Sequence, residues 1–341
     1  MAPTKRQISG NDNINLSYEE EREMDMAINK IRLLWHCRVP FFTRQLLEQI
    51  AFQLDEYAQG ILSDTFIVIG IDGQTSAVPV PRRENGRLPS QDRPKLQVDY
   101  LSIQRLQDSY CLGALNSGSG LKNFTLHFKD NILGPDTDAC KFSKTALARI
   151  FRLERVAWTT SRAFLELSAI VQENQRLWTA GKIVGIGLGP LVRGSRVDDV
   201  GNQRSLTRYS FLHALREMIA ALTGHTRPCI AQDPELSPTA AGILEDAGVT
   251  VMEDPRGFLE IDQSTILVSI DPKMPVKQIV SEIARPLAII WAPGSVHSER
   301  GSMFPDMSST RVDAMLHAEY INIGFLMHPS LQIVSIYLRV G

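Results

Sequence analysis

The chain reads as an α/β protein: a Rossmann-like parallel sheet flanked by helices, preceded by an N-terminal α+β extension. Three observations predict this. From Lys182 onward, short β-branched runs alternate with amphipathic segments of about 10–15 residues, the pattern of βαβ units. The first of those runs, "KIVGIGLGPL", closes on glycines at 185, 187 and 189, as a strand entering a tight turn does. The chain has 341 residues, 43% of them hydrophobic, so a large core can be buried.

Composition narrows the function classes. The formal charge is −2, so a nucleic-acid partner needs a local basic patch rather than a global field. Cys37, Cys111, Cys140 and Cys229 lie far apart with no C-x-x-C pair, which fits neither a zinc site nor a disulfide framework and suggests a reducing, cytoplasmic setting. His297, His317 and His328 show no metal-ligand spacing, and no metal is expected. The N-terminus is polar, and no apolar run approaches the roughly 18–20 residues that span a bilayer. No membrane and no DNA partner is expected.

Residues 1–28 are polar and charge-rich and read as a disordered tail, with a nascent helix at its end. The extension, 29–137, opens with a helix from Thr43 to about Tyr57, because Leu46, Leu47, Ile50, Ala51 and Leu54 share one face. "TFIVIGIDG" follows as a strand and glycine turn; residues 75–98, with four prolines, read as a loop or flap, and "NFTLHFKD" as a strand. The main domain spans 138–341. "KFSKTALARIFRLERVAWTTSRAFLELSAIVQENQRLW" runs 38 residues without Pro or Gly, one long helix or two. Then come strand "KIVGIGL", helix "RYSFLHALREMIAAL", strand "PCIAQD", helix "PTAAGILEDAG", strand "VTVME", strand "STILVSI", helix "VKQIVSEIA" and strand "LAIIWAP". "QIVSIYLRV" is expected to add an edge strand.

The glycine turn decides the ligand class. A dinucleotide fingerprint needs G-x-G-x-x-G directly between strand and helix, so that the helix N-terminus meets the pyrophosphate. Here the spacing is G-x-G-x-G, Pro190 stands where the third glycine belongs, and the next helix is expected about fifteen residues on. Asp233 ends the second strand, where a ribose-binding acid lies, which keeps a nucleotide or S-adenosylmethionine site open. The commoner alternative is a glycine-lined strand end shaping a pocket mouth at the carboxyl edge of the sheet.

"IVGIGLGPL", "SFLHAL", "AQDPELSPTAAGILEDAGVTVMEDPRGFLEID" and "STILVSIDPKMPVKQIVSEIARPLAIIW", in that order, resemble the sensitivity-to-red-light-reduced-like domain in its fungal form. Gly187, Gly189, His213, Asp233, Pro234, Gly248 and Pro275 carry the match, over roughly Ile183 to Trp291. The resemblance implies one of two functions. Some fungal members are arginine-containing cyclodipeptide synthases, which join arginine and a second amino acid, both delivered as aminoacyl-tRNA, into a diketopiperazine; others are regulatory. The synthases carry an acidic D-D-x-x-E motif. Its nearest match here is Asp198, Asp199, Val200, Gly201 and Asn202, with Asn in place of Glu.

Such chemistry assigns expectations to residues. A tRNA user needs cations along a surface, and Lys141, Lys144, Arg152, Arg155 and Arg162 fall between roughly 220° and 300° on a helical wheel. Phe142, Leu147, Ile150, Phe151, Leu153, Ala157, Trp158, Phe164 and Leu165 take the apolar face; a solvated cationic face is the bland alternative. A carboxylate is needed to take a guanidinium in a two-bond fork, and Asp233, Glu253 and Asp254 follow strands; each could equally be a turn acid. Gly187 and Gly189 offer backbone N–H groups to a developing oxyanion. His213 is a candidate base or a core histidine, Ser195 and Ser210 candidate acyl carriers, and Asp198 and Asp199 candidate bases or loop acids. No cofactor beyond aminoacyl-tRNA is expected, because the ester is already activated.

Overall fold

A computed structural model of the chain describes residues 18–61, 64–81, 95–111, 121–128, 142–194, 199–293 and 305–341. The expectations for the tail up to residue 17 and for the middle of the Pro-rich loop, 82–94, lie outside these. The charge-rich run before residue 29 is helical from Tyr18: α1 spans Tyr18–His36 and buries Ile28 and Ile31. α2 (Arg44–Ala58) starts at an N-cap where the Thr43 side chain accepts the Leu46 N–H, at 3.0 Å. It buries Leu46, Leu47, Ile50 and Ala51, as their spacing predicts, and also Tyr57.

β1 (Thr65–Ile69) and β2 (Thr75–Pro79) form an antiparallel hairpin, and β3 (Leu96–Tyr100) pairs with β4 (Phe124–Phe128) across α3 (Ile103–Cys111). β2 and β3 occupy the two ends of the stretch expected to be a loop. Its prolines mask the clean alternation of Ser76, Val78 and Leu96, Val98, Tyr100, which put their side chains on one buried face.

The 38-residue run is two helices, α4 (Lys144–Thr159) and α5 (Arg162–Glu173). The break at Thr160–Ser161 has a local cause: the Ser161 side chain accepts the Phe164 N–H at 3.1 Å and starts a new helix. A 3₁₀ turn, Gln175–Thr179, leads into the sheet. Then follow β5 (Lys182–Ile186), α6 (Val200–Thr223), β6 (Cys229–Gln232), α7 (Pro238–Asp246), β7 (Thr250–Val251), α8 (Arg256–Leu259), β8 (Thr265–Ser269), α9 (Val276–Ile283), β9 (Ala288–Trp291), α10 (Thr310–Glu319), β10 (Tyr320–His328) and β11 (Gln332–Arg339).

The seven-stranded sheet has the order β10-β11-β9-β8-β5-β6-β7. β7, β6, β5, β8 and β9 are parallel, while β11 runs against them at one side, antiparallel to β9 and to the outer strand β10. The C-terminal strand is therefore interior, not an edge: it pairs with β9 on one side and with the unforeseen β10 on the other. Chain order reverses at β5 and β8, the switch point whose carboxyl ends border the ligand crevice of open α/β sheets; here the turn after β5 packs on Pro272 after β8. Continuously buried strands such as β6 and β8 show that both sheet faces are covered.

One face packs against α4, α5, α6 and α7. The other packs against α8, α9, α10 and the whole extension, whose Phe41, Phe42, Tyr100 and Phe128 join Phe258, Ile279 and Trp291 in one core. Polar clamps fix the extension there. Glu282 accepts the Phe41 and Phe42 N–H groups at 2.8 and 2.7 Å and pairs with Arg311. Arg311 in turn donates to the Val39 and Trp35 carbonyls, at 2.9 and 2.8 Å. The extension thereby covers this face of the sheet.

Candidate functional site

The glycine turn leaves β5 in left-handed backbone, with φ +68° at Gly187 and +89° at Gly189. Its close approaches are to the chain itself: a Cβ at Gly187 would overlap Pro272, and one at Gly189 would lie 2.5 Å from the Ser205 hydroxyl. Both amides are also committed. Gly187 N–H donates to the Gln232 carbonyl at 2.9 Å, and Gly189 N–H to Asp233 Oδ2 at 2.6 Å. The expectation that these N–H groups face a developing oxyanion is thus corrected, because they already hold the turn against β6.

Asp233 is consumed by the same job. Its second oxygen accepts the Glu235 N–H at 2.8 Å, an Asx turn before the next helix. Burial outweighs these two bonds and raises its pKa to about 6. Glu253 points outward, pairs with Lys95 and is 68% exposed. Asp254 differs from both. Its Oδ1 accepts the Tyr100 hydroxyl at 3.1 Å and the Gln232 amide at 2.8 Å, while Oδ2 is buried with no hydrogen-bond partner. Burial, with Asp233 adding repulsion, pushes its pKa up to about 7.

Three elements build this position. β3 of the extension delivers Tyr100, whose ring meets Phe258 edge-on at 6.0 Å between centroids. β6 delivers Gln232, whose carbonyl oxygen accepts the Gly257 N–H at 2.6 Å and is thereby locked with its amide toward Asp254. Tyr100 and Gln232 were not foreseen; nothing in a distant, Pro-flanked strand signals that its tyrosine meets a carboxylate 154 positions later. Around the mouth of the crevice stand Arg193 and Lys273 on Glu235, and Arg208 on Asp271 at 2.8 Å.

The loop after the turn is shorter than expected, because α6 begins at Val200 rather than near Arg208. Asp199 is its N-cap and accepts the Gly201 N–H at 2.8 Å, which makes it a capping acid. Asn202, standing where the acidic motif has Glu, clamps the Arg193 main chain by both its amide atoms, at 2.7 and 2.8 Å. Ser195 and Asp198 lie outside the described residues.

Ser210 and His213 do not reach the crevice. They lie on the face of α6 turned to α4, in a groove they share with Arg152 and Arg155. There burial, with Arg155 nearby, lowers the His213 pKa to about 4, so its ring is neutral at pH 7. The basic residues do not form one continuous stripe. The helix break puts Arg162 on α5, paired with Glu166 at 2.7 Å; Lys144 pairs with Asp246 at 3.0 Å; Lys141 lies outside the described residues. Two leucines of the expected apolar face are in solvent, Leu153 60% and Leu165 65% exposed, because each lies two residues from the buried positions of its own helix, Phe151 on α4 and Ala163 and Leu167 on α5.

Among the described residues no three His, Cys, Asp or Glu side chains gather as a metal site, and no helix is long and apolar enough to cross a membrane. Residues 163–326 match the family profile of the SRR1 (sensitivity to red light reduced) domain. A crystal structure of a mutant of MtNAS aligns at 12% identity with a TM-score of 0.28, covering 58% of this chain and 73% of that one. No curated protein matches the chain.

Proposed function

From the match of residues 163–326 to the SRR1 domain family, we propose that the chain is a tRNA-dependent cyclodipeptide synthase that joins arginine and a second amino acid from their aminoacyl-tRNAs. The observation that carries this reading is Asp254. A carboxylate with one buried oxygen unpartnered among the described residues, held beside the carboxyl end of β6, is suited to a cationic group brought by a ligand. Tyr100 and Gln232 occupy Oδ1 and aim Oδ2, so a guanidinium meets a pre-oriented acceptor and loses little entropy on binding. Bond making draws on the two tRNA esters: the α-amine of one aminoacyl group attacks the ester carbonyl of the other, an amide forms and the first ribose hydroxyl leaves with the proton. The remaining free α-amine then attacks the second ester, which closes the ring and releases the second tRNA in the same way.

The test is direct. Purified protein is incubated with tRNA, the synthetases, ATP and labelled arginine. An RNase-sensitive diketopiperazine is expected with at least one of the twenty partners. Asp254→Asn should weaken use of the arginyl substrate by about 10- to 100-fold, the worth of a charge-assisted hydrogen bond. Absence of any RNase-sensitive product across all partners sinks the proposal.

A second reading, a regulatory protein that binds without chemistry, is favoured by a specific feature: the glycine amides, Asp233 and Asp199 all serve the fold, and Ser210 and His213 lie elsewhere. It predicts that calorimetry detects arginine binding that depends on Asp254 while the assay yields no product.

A further inference from the structure

On the far face of α6, away from the crevice, α4, the start of α5 and the middle of α6 enclose an open groove of about 600 Å³. That size lies within the range of small-molecule sites, about 300–1,000 Å³. Its walls are mostly apolar, from Val156, Phe164, Ala214 and Met218. Two further features show that the groove is built for more than packing.

The first is Ser210. The residue is 1% exposed and lines the groove, and its hydroxyl has no hydrogen-bond partner among the described residues. A mid-helix serine ordinarily bonds back to a carbonyl one turn earlier, and a buried hydroxyl left unmade costs about 1–3 kcal/mol. The second is charge. Arg152 and Arg155 both line the groove, and neither makes an ion pair among the described residues, although burial works against the charge on Arg155. The one acid in the wall, Glu217, already sits 3.5 Å from Arg216. His213 faces Arg155, Arg216 and Glu217 and stays neutral, so the groove is cationic on balance. Val156 at the lip is 59% exposed, an apolar surface left in solvent beside this charge.

We infer that this groove is a second ligand site, for a small amphipathic anion. An apolar chain or ring lies along Met218, Ala214 and Phe164, and a carboxylate or sulfonate head meets Arg155 and Arg152 with the Ser210 hydroxyl donating to it. The site is independent of the crevice chemistry, since no residue placed there lines the groove.

The experiment uses the full chain and the fluorescent probe 1-anilinonaphthalene-8-sulfonate, with octanoate and octylamine as competitors. Saturable binding at one site is expected, displaced by octanoate and not by octylamine. Arg155→Gln should weaken it about tenfold, the worth of one charge-assisted contact. Ala221 is exposed at the end of the groove, so Ala221→Trp closes it without touching the core and should abolish binding while circular dichroism stays unchanged. Saturation with octanoate should also raise the His213 pKa, followed by NMR, as an anion settles beside the ring. Equal displacement by octylamine, or undiminished binding in folded Ala221→Trp, overturns the inference.

Discussion

At the scale of single residues, environment separates chemically identical carboxylates. Asp233 and Asp254 both follow strands and both precede proline, yet one is saturated by backbone N–H groups and the other keeps a buried oxygen without a hydrogen-bond partner among the described residues. Their raised pKa values make a stability prediction whose sign follows from linkage. The folded state holds protons on these groups that the unfolded chain releases, so their contribution falls as pH rises from about 4 to about 7. His213 acts oppositely: the unfolded chain takes its proton first, so its contribution is lost as pH falls from 6.5 towards about 4. Urea titrations across pH 4–8 should show Asp254→Asn gaining stability relative to wild type at the alkaline end. His213→Gln should gain at the acid end. A second residue-scale prediction concerns the turn. Gly187→Ala combines a positive φ with overlap on Pro272 and should cost about 2 kcal/mol or more, read as a lower urea midpoint at unchanged slope.

At the scale of elements, the clamp between extension and sheet rests on few groups. Glu282 is 4% exposed and serves two amides and the Arg311 guanidinium. Glu282→Ala leaves that cation and both N–H groups without their acceptor, and a broken buried pair costs about 3–5 kcal/mol. The expected outcome is early proteolytic cleavage near Val39–Thr43, with α6 and the parallel strands still protected in hydrogen exchange. Uniform loss of protection across both parts would show that they unfold as one unit and would contradict the clamp. The helix pair α4–α5 teaches a related lesson. Thr159, Thr160 and Ser161 are weak helix formers, and the Ser161 cap starts a new helix there, which separates Arg162 from the cations of α4.

At the scale of the whole molecule, the extension covers one face of the sheet and also supplies a partner to Asp254. Tyr100 crosses from it to Asp254, so removing the extension should do two things. The truncated chain 138–341 exposes Phe258, Ile261 and Ile279 and should aggregate in size-exclusion chromatography. The milder Tyr100→Phe keeps the cover, removes one donor from the Asp254 carboxylate and pushes its pKa further up. Arginine binding in that variant should need a higher pH than in wild type, with the midpoint displaced upward.

The amino-acid sequence by itself determined the alternation of strands and helices from Lys182 onward, the glycine turn, the amphipathic α2 and the family match, because these are properties of neighbouring residues: a period, a cap, a required φ. Which groups work together was decided only by the tertiary structure. Asp199 became a cap, Asp233 a brace for the turn, and His213 with Ser210 part of a groove on the opposite side of α6 from the sheet. Asp254 is held at Oδ1 by a tyrosine on a strand the prolines had disguised. Local patterns fix backbone conformation, but the protonation and availability of a carboxylate depend on burial and partners supplied from distant parts of the chain.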